Sequence, residues 1–496
     1  MQKVEIVSST EENFSSSKEV TPSSSCTLCQ NLDFAFTKEQ RKKTKWKFSL
    51  KEIMIILGIG DIILLFFSVQ MALLIEIYIN EQKIPLHHAS KSLYWLIIPW
   101  ILFSIISDSY NPRNLSQLSL CLKQPISIAF LVWMVYFAVY FFSSIGSMPR
   151  LAVLFFGVIS CVSLMLWRLS HFWIFSQHKL RQRILIVGQS DLSTEIKKLI
   201  SFHHFQYELV SVLPNWQCDK KDSCDLFAVN FNKIVHSVDK IIVGSQNFLS
   251  NDCWQFLLRC RQSGISLDSM SSFYEKLTRR TPVAFLDQID FTILPLQNEP
   301  PSCFYSVTTR AIDIVFGIIV SLLLLFLLPW IAIAIKASSP GPIFFSQMRI
   351  GKNGKPFRLW KFRTMIADAI NQGPMWTEEK DKRVTWIGNM LRKLHLDELP
   401  QIWNLLKGDL TIVGIRPLSV EQCEKFEEKI PFHNLRHIVK PGLTGWAVVN
   451  FYHVNNLEGA KIRLEYDLYY VKYQNLWMDF LIFCRTVWTI LTMNGL

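Results

Sequence analysis

Charge is scarce in this chain. Only 19% of its 496 residues are charged, against ~25% in an ordinary soluble protein, and half are hydrophobic. That balance excludes a conventional soluble globule and points to membrane segments. The eleven cysteines lack the spacing of a disulfide framework, which suits cytosolic exposure of the soluble parts. Cys26 and Cys29 form a C-x-x-C, but no second pair or histidine follows at zinc-ligand spacing, so they read as incidental. No apolar run occurs before residue 50, so no signal peptide is expected.

The length leaves room for two or three domains. A net charge of +12 suits anionic lipid surfaces and phosphate-bearing substrates. Nucleic acid is not expected as a partner, because the basic residues sit beside apolar runs or inside one compact, motif-rich segment.

Residues 1–48 read as a disordered cytoplasmic tail, rich in Ser, Thr and Glu over 1–37, and a basic cluster that runs from Lys38 to Lys51 leads into the first apolar stretch. Region 49–175 should hold four transmembrane helices, built on the apolar stretches Ile53–Ile79, 92–107, 125–142 and 151–167. Basic flanks before the first stretch and after the fourth (Lys179, Arg181, Arg183) place both ends on the cytoplasmic side, as an even number of spans requires. Asp61 lies inside the first stretch, as either a functional carboxylate or half of a structural pair.

Residues 181–300 alternate short apolar strands with helical stretches, the pattern of a Rossmann-like α/β domain with a parallel sheet. A dinucleotide fingerprint would need glycine at 190 and 193, where Ser190 and Ser193 stand. This domain is therefore expected to lack a cofactor.

The next stretch, Ala311–Ile335, is apolar except for Asp313 and long enough to span a bilayer. Basic residues flank it on both sides: Arg310 before, and Lys336, Arg349, Lys352, Lys355, Arg358, Lys361 and Arg363 after. Positive charge at both ends is what a re-entrant helix over 310–336 shows, entering and leaving by one face, the alternative being an ordinary, slightly kinked span. Pro329 supplies the membrane break, since proline removes a backbone donor and crowds the preceding turn.

Asn353-Gly354 sits between two strand-like runs and predicts a hairpin, which would deliver Arg349, Lys361 and Arg363 towards one place fit for phosphate. In Leu391–Gly408, Asp397 is a suitable N-cap, Pro400 falls in the first helical turn and Gly408 is a natural stop. The pair Asp397-Glu398 would then lie at the positive end of a short helix, beside free backbone N–H groups. Leu476–Leu491 reads as an interfacial amphipathic helix.

Residues from about 305 to 496 resemble the monotopic phosphoglycosyl transferases, the bacterial polyprenyl-phosphate hexose-1-phosphate transferases. The likeness runs in order through SPGPIFFSQMRIG, KPFRLWKFRTM, DKRVTWIG, LDELPQIWNLLKGDLTIVG, RP, PGLTGW and DLYYV. For 1–300 it is one of layout only, that of the large form of the family. The resemblance implies a C-terminal α+β catalytic domain over 305–496. Asp397 would be the nucleophile that attacks the sugar-bearing phosphorus of a UDP-sugar, so that UMP leaves and polyprenyl phosphate then takes the phosphosugar. Glu398 would bind Mg²⁺ or assist proton transfer, with Lys361, Arg363, Arg392, Arg416 and, more weakly, Arg349 on the phosphates. It also implies a bacterial inner membrane location, with the catalytic domain on the cytoplasmic face. The product would be the first membrane-committed intermediate of exopolysaccharide, capsule, O-antigen or glycoconjugate synthesis.

The chain departs from that pattern at Leu328, where a serine commonly precedes the proline, and at Leu394 and His395, where small hydroxyl residues are usual. Ile415, Val448 and Phe451 replace Pro, Gln and Gly. None of these removes a catalytic group. A catalytically silent membrane scaffold is the competing reading, which the intact dyad opposes. The sugar and the oligomeric state, a homodimer included, are not fixed by the sequence.

Overall fold

The computed structural model describes residues 50–80, 94–110, 118–141, 150–175, 181–188, 190–202, 206–213, 237–244, 251–283, 285, 302–366, 381, 383–451 and 456–492. The expected tail, with Cys26 and Cys29, lies outside the described residues.

Helices α1 (Leu50–Asn80), α2 (Ile97–Ile106), α3 (Leu118–Phe141) and α4 (Arg150–Phe175) form the first unit. Leu65, Val69, Trp100, Val132 and Phe156 share its core, while apolar side chains such as Ile63, Phe67, Phe137 and Leu166 stay exposed on its outside. Apolar surface on both faces is what a lipid-facing bundle needs. Asp61 and Arg168 form a buried ion pair at 2.7 Å, and Arg168 also donates to the Ser109 carbonyl at 2.7 Å. Of the two readings of Asp61, the structure shows the pair. Gly60 is where the ring of Trp167 meets α1, and a Cβ there would overlap the indole.

The four expected spans need one correction. Four described helices are long and apolar enough to cross a membrane, and they lie at Met54–Ile79, Cys121–Ala138, Ala152–Ile174 and Cys303–Ser338. The second expected span, 92–107, appears as the ten-residue α2. At ~1.5 Å per residue that is about half of the ~30 Å hydrocarbon thickness. The polar run Ser107-Asp108-Ser109 ends it, with Asp108 turned into the left-handed region at φ 54°.

The second unit carries β1 (Gln182–Val187), α5 (Asp191–Phe202), β2 (Tyr207–Leu213), β3 (Lys240–Val243), α6 (Asn251–Gln262), β4 (Ser266–Ser269) and α7 (Met270–Thr278). Its sheet has the order β2-β1-β3-β4, and every pairing is parallel. Ile184, Leu185, Ile186 and Val187 are all buried, as a strand covered on both faces requires. At the end of β1, Ser190 and Ser193 bond to each other: the Ser193 amide donates to Ser190 Oγ at 3.1 Å, and the Ser190 amide to Ser193 Oγ at 3.0 Å.

The third unit begins with α8 (Cys303–Ser338), followed by the antiparallel pair β5 (Phe344–Ile350) and β6 (Pro356–Phe362). The hairpin turn is the expected one, with Asn353 at φ 56° and Gly354 at φ 75°. Then come α9 (Trp386–Lys393), a 3₁₀ helix (Leu396–Gln401), α10 (Ile402–Lys407), β7 (Thr411–Val413), α11 (Val420–Glu427), a second 3₁₀ helix (His433–Ile438), β8 (Gly442–Thr444), α12 (Trp446–Asn450), α13 (Leu457–Tyr473) and α14 (Leu476–Thr492). One core gathers Leu324, Ile331 and Ile335 of α8 with Phe362, Leu391, Leu405, Leu464, Leu468 and Ile482.

Helix α8 continues through Pro329 without a break in its helical run, so the interruption expected there is not one of secondary structure. Helix on both sides satisfies all but the backbone bond that proline cannot donate. Both ends of α8 are fastened to the same globular unit. Near its start, Arg310 donates to the Leu405 and Leu406 carbonyls at 2.8 and 2.6 Å, and Asp313 accepts from the Ile412 amide at 2.9 Å. At its end, Arg363 donates to the carbonyls of Ser339 and Pro340 at 2.6 and 2.9 Å. The opposite face of α8 leaves Ile319, Leu322, Leu325, Phe326, Trp330 and Ile333 exposed.

The second unit docks on the third through polar contacts. Lys472 donates to Glu275 at 2.9 Å, Tyr274 to Glu465 at 3.2 Å, and the Trp446 indole to the Arg279 carbonyl at 3.1 Å.

Candidate active site

The dyad sits at the junction of two short helices. The expectation of Asp397 as an N-cap needs correction: the 3₁₀ helix starts at Leu396, with Asp397 and Glu398 in its first turn and Pro400 inside it. The N-cap is His395, held in the left-handed region at φ 54°. That conformation costs a β-carbon-bearing residue roughly 1–2 kcal/mol, a strain of the kind found at functional sites. Gly408, at φ 93°, stops α10 as expected.

Asp397 is 8% exposed, and its carboxylate makes no hydrogen bond among the described residues. Burial raises its pKa, and the Glu398 charge adds to the rise. Lys361, Arg392 and His395 act the other way without cancelling it. Glu398 has the opposite fate. Burial alone would raise its pKa, but Lys361 and Arg416 outweigh that and hold it well below the usual carboxylate range. Lys361 Nζ lies 2.7 Å and Arg416 3.1 Å from the same oxygen, Oε1. Oε2 has no hydrogen bond among the described residues. The site thus pairs an acid that gains a proton easily with a neighbour that stays ionised.

The basic residues divide. Lys361, on β6, and Arg416, beyond β7, meet at Glu398. Arg392 lies near enough to Asp397 to feel its charge, and Thr364 holds it through a 2.9 Å bond to Nε. Arg349 points at the Pro417 carbonyl and at Gln347, and burial pushes its pKa down to about 10. Arg363 is not part of this group: its guanidinium is spent on the C-terminal end of α8. The hairpin therefore delivers Lys361 to the dyad and Arg363 to the membrane helix.

Sequence reading missed the support behind Arg416. Arg436 donates to the Arg416 carbonyl at 3.0 Å and to Asp467 at 2.8 Å, in an ion pair with both side chains buried. Asp467 belongs to the DLYYV stretch, but nothing local in the sequence links it to residue 436. Gly442 is needed where β8 runs against β7, because a Cβ there would overlap the Gly414 backbone.

The model of the bacterial sugar transferase family matches residues 304–493. An Aeromonas hydrophila protein named UDP-N-acetylgalactosamine-undecaprenyl-phosphate N-acetylgalactosaminephosphotransferase is 34% identical over 297 residues, which are 60% of this chain and 67% of that protein. A UDP-glucose:undecaprenyl-phosphate glucose-1-phosphate transferase from Escherichia coli is 42% identical over 197 residues, covering 39% of this chain and 42% of its own length. A relative of the same name from Caulobacter vibrioides is 36% identical over 188 residues, or 38% of this chain and 70% of its own. The chain belongs to the bacterial sugar transferase family, the polyprenyl-phosphate sugar-phosphate transferases. The dyad and both of its cationic partners fall inside the matched region.

Proposed function

We propose that this chain transfers a sugar 1-phosphate from a UDP-sugar to polyprenyl phosphate, with release of UMP, by way of a phosphosugar carried on Asp397. The names of its relatives support the donor and acceptor classes. The observation that carries the mechanism is the unequal dyad: a buried Asp397 with free lone pairs beside a Glu398 pinned by Lys361 and Arg416.

In the first step an Asp397 carboxylate oxygen attacks the sugar-bearing phosphorus. An oxygen–phosphorus bond forms, the bridging diphosphate bond breaks, and UMP leaves with its electron pair. Lys361, Arg392 and Arg416 lower the repulsion between a carboxylate and an anionic diphosphate. In the second step a polyprenyl phosphate oxygen attacks the same phosphorus and regenerates Asp397. The sugar–oxygen bond is untouched in both, so the anomeric configuration is retained.

Mg²⁺ fits the donor set. Glu398 Oε2 is a free, hard oxygen, and an ion that keeps most of its ligands as water and phosphate needs few from the protein. When bound there it would neutralise diphosphate charge.

Both ends of α8 are tied to the catalytic unit, which supports a re-entrant helix and a catalytic domain held at the cytoplasmic face of the bacterial inner membrane. The middle domain, Rossmann-like in its parallel strand order, acts without a dinucleotide in this reading. Ser190 and Ser193 use on each other the helix-end amides that a pyrophosphate would take.

The test is turnover of the full-length protein with a panel of UDP-sugars and polyprenyl phosphate. UMP release that depends on Asp397 supports the proposal, and a purified, folded protein silent across the panel would point to the scaffold reading.

A further inference from the structure

A second cluster of chemically able side chains lies outside the dyad. Glu427, His433 and His437 each offer a ligand atom, and these atoms all lie within 4.8 Å of one another. Glu427 ends α11, and both histidines belong to the 3₁₀ helix that follows. The turn between them passes through Phe432, held in the left-handed region at φ 61°, a strained conformation that brings the second helix back against the first.

The histidines are buried, His433 to 4% exposure, and its Nδ1 is a buried nitrogen with no hydrogen-bond partner among the described residues. A buried imidazole nitrogen left unpaired costs stability and asks for an explanation. Cys423 Sγ lies 3.7 Å from His437 Nε2 and steadies that ring. Glu427 is exposed, so the cluster opens to solvent on the carboxylate side.

We propose that Glu427, His433 and His437 form a binding site for a divalent transition metal, with Zn²⁺ the best fit. Two imidazoles and one carboxylate are a known zinc donor set, and the open fourth position would take water. Magnesium is a poor match for imidazole. The site would brace the helix that carries Arg436, and through it the carbonyl of Arg416. The inference is independent of the reaction proposed above.

The test uses full-length protein with Cys26→Ser and Cys29→Ser, which removes the N-terminal thiol pair as a rival ligand. After stripping with a chelator, Zn²⁺ is titrated in competition with a chromogenic chelator, and Co²⁺ absorption reports the geometry. One tight Zn²⁺ per chain with tetrahedral Co²⁺ bands is expected. Glu427→Gln should weaken binding about 10-fold or more, and His433→Gln should abolish the Co²⁺ bands. Because Glu427 is on the surface, its variant tests the site without risk to the core. Asp397→Asn should leave the zinc equivalent unchanged. Absence of a tight equivalent, its persistence in Glu427→Gln and His433→Gln, or its loss in Asp397→Asn would each overturn the proposal.

Discussion

Lys361 Nζ sits 2.7 Å from Glu398 Oε1, and Arg416 reaches that same oxygen. Two cations on one carboxylate oxygen fix Glu398 as an anion and leave it no role as a proton donor near neutrality. Glu398→Gln removes the charge but keeps the shape. It should lower kcat by about 10²-fold and weaken the dependence on Mg²⁺. Rates measured across a Mg²⁺ series decide the matter, and an unchanged Mg²⁺ profile in the variant would remove Glu398 as the metal-binding acid.

Asp397 titrates the other way. Its native pKa is raised by burial, so between the ordinary value of 3.8 and that raised value the folded state holds a proton that the unfolded chain has released. Stability therefore falls as pH rises through that window, and the cost of an ionised Asp397 persists above it. Activity should rise over the same window if, as proposed, the Asp397 anion is the nucleophile. Asp397→Asn should raise the thermal midpoint at neutral pH by a few degrees while removing activity. A lower midpoint in the variant would contradict a strained, desolvated carboxylate.

Arg363 and Arg416, both read from the sequence as phosphate binders, have different partners. Arg363→Ala strips three hydrogen bonds from the end of α8 and should destabilise the protein by ~2 kcal/mol or more, seen as a lower unfolding midpoint. Arg416→Ala should leave stability nearly unchanged, since Arg416 is partly exposed, and should lower kcat/KM about 10- to 100-fold. A normal midpoint in Arg363→Ala would show that the helix end is not held there.

Topology can be read with single cysteines. Cys423 is buried beside His437 and is a poor reporter, whereas Cys303 and the hairpin-tip position Lys352 are exposed. Single-cysteine variants with Cys303 or Lys352→Cys should both resist an impermeant thiol reagent in intact cells and react after permeabilisation. Labelling of either one from outside would contradict a re-entrant α8.

The catalytic unit was the legible part of the fold. The Asn353-Gly354 turn, the Gly408 stop and the apolar length of α8 are local signals, and each appears where its chemistry requires. The local signals put Asp397-Glu398 at the start of a helix but placed the cap two residues late, and the role proposed for the pair rests on the resemblance. Where long-range packing decides, the sequence is silent: the pairing of Asp61 with Arg168, the turn of Arg363 towards Ser339, and Arg436 against Asp467 all join residues whose separation carries no pattern. Segment 92–107 ends where expected, but hydropathy over a window cannot see the turn at residues 95–96, which delays the start of the helix to Ile97. Left-handed His395 could not be foreseen, because that conformation is imposed by its surroundings.

The central claim is that Asp397 carries the phosphosugar, and one measurement meets it directly. Full-length enzyme is mixed with a UDP-sugar in the absence of polyprenyl phosphate, UMP is quantified, and the quenched protein is mapped by mass spectrometry. The account predicts a burst of UMP no larger than the amount of enzyme, a phosphosugar adduct on the peptide that contains Asp397, and loss of both in Asp397→Asn. UMP that appears only when the lipid acceptor is present, or a burst that survives Asp397→Asn, would contradict it.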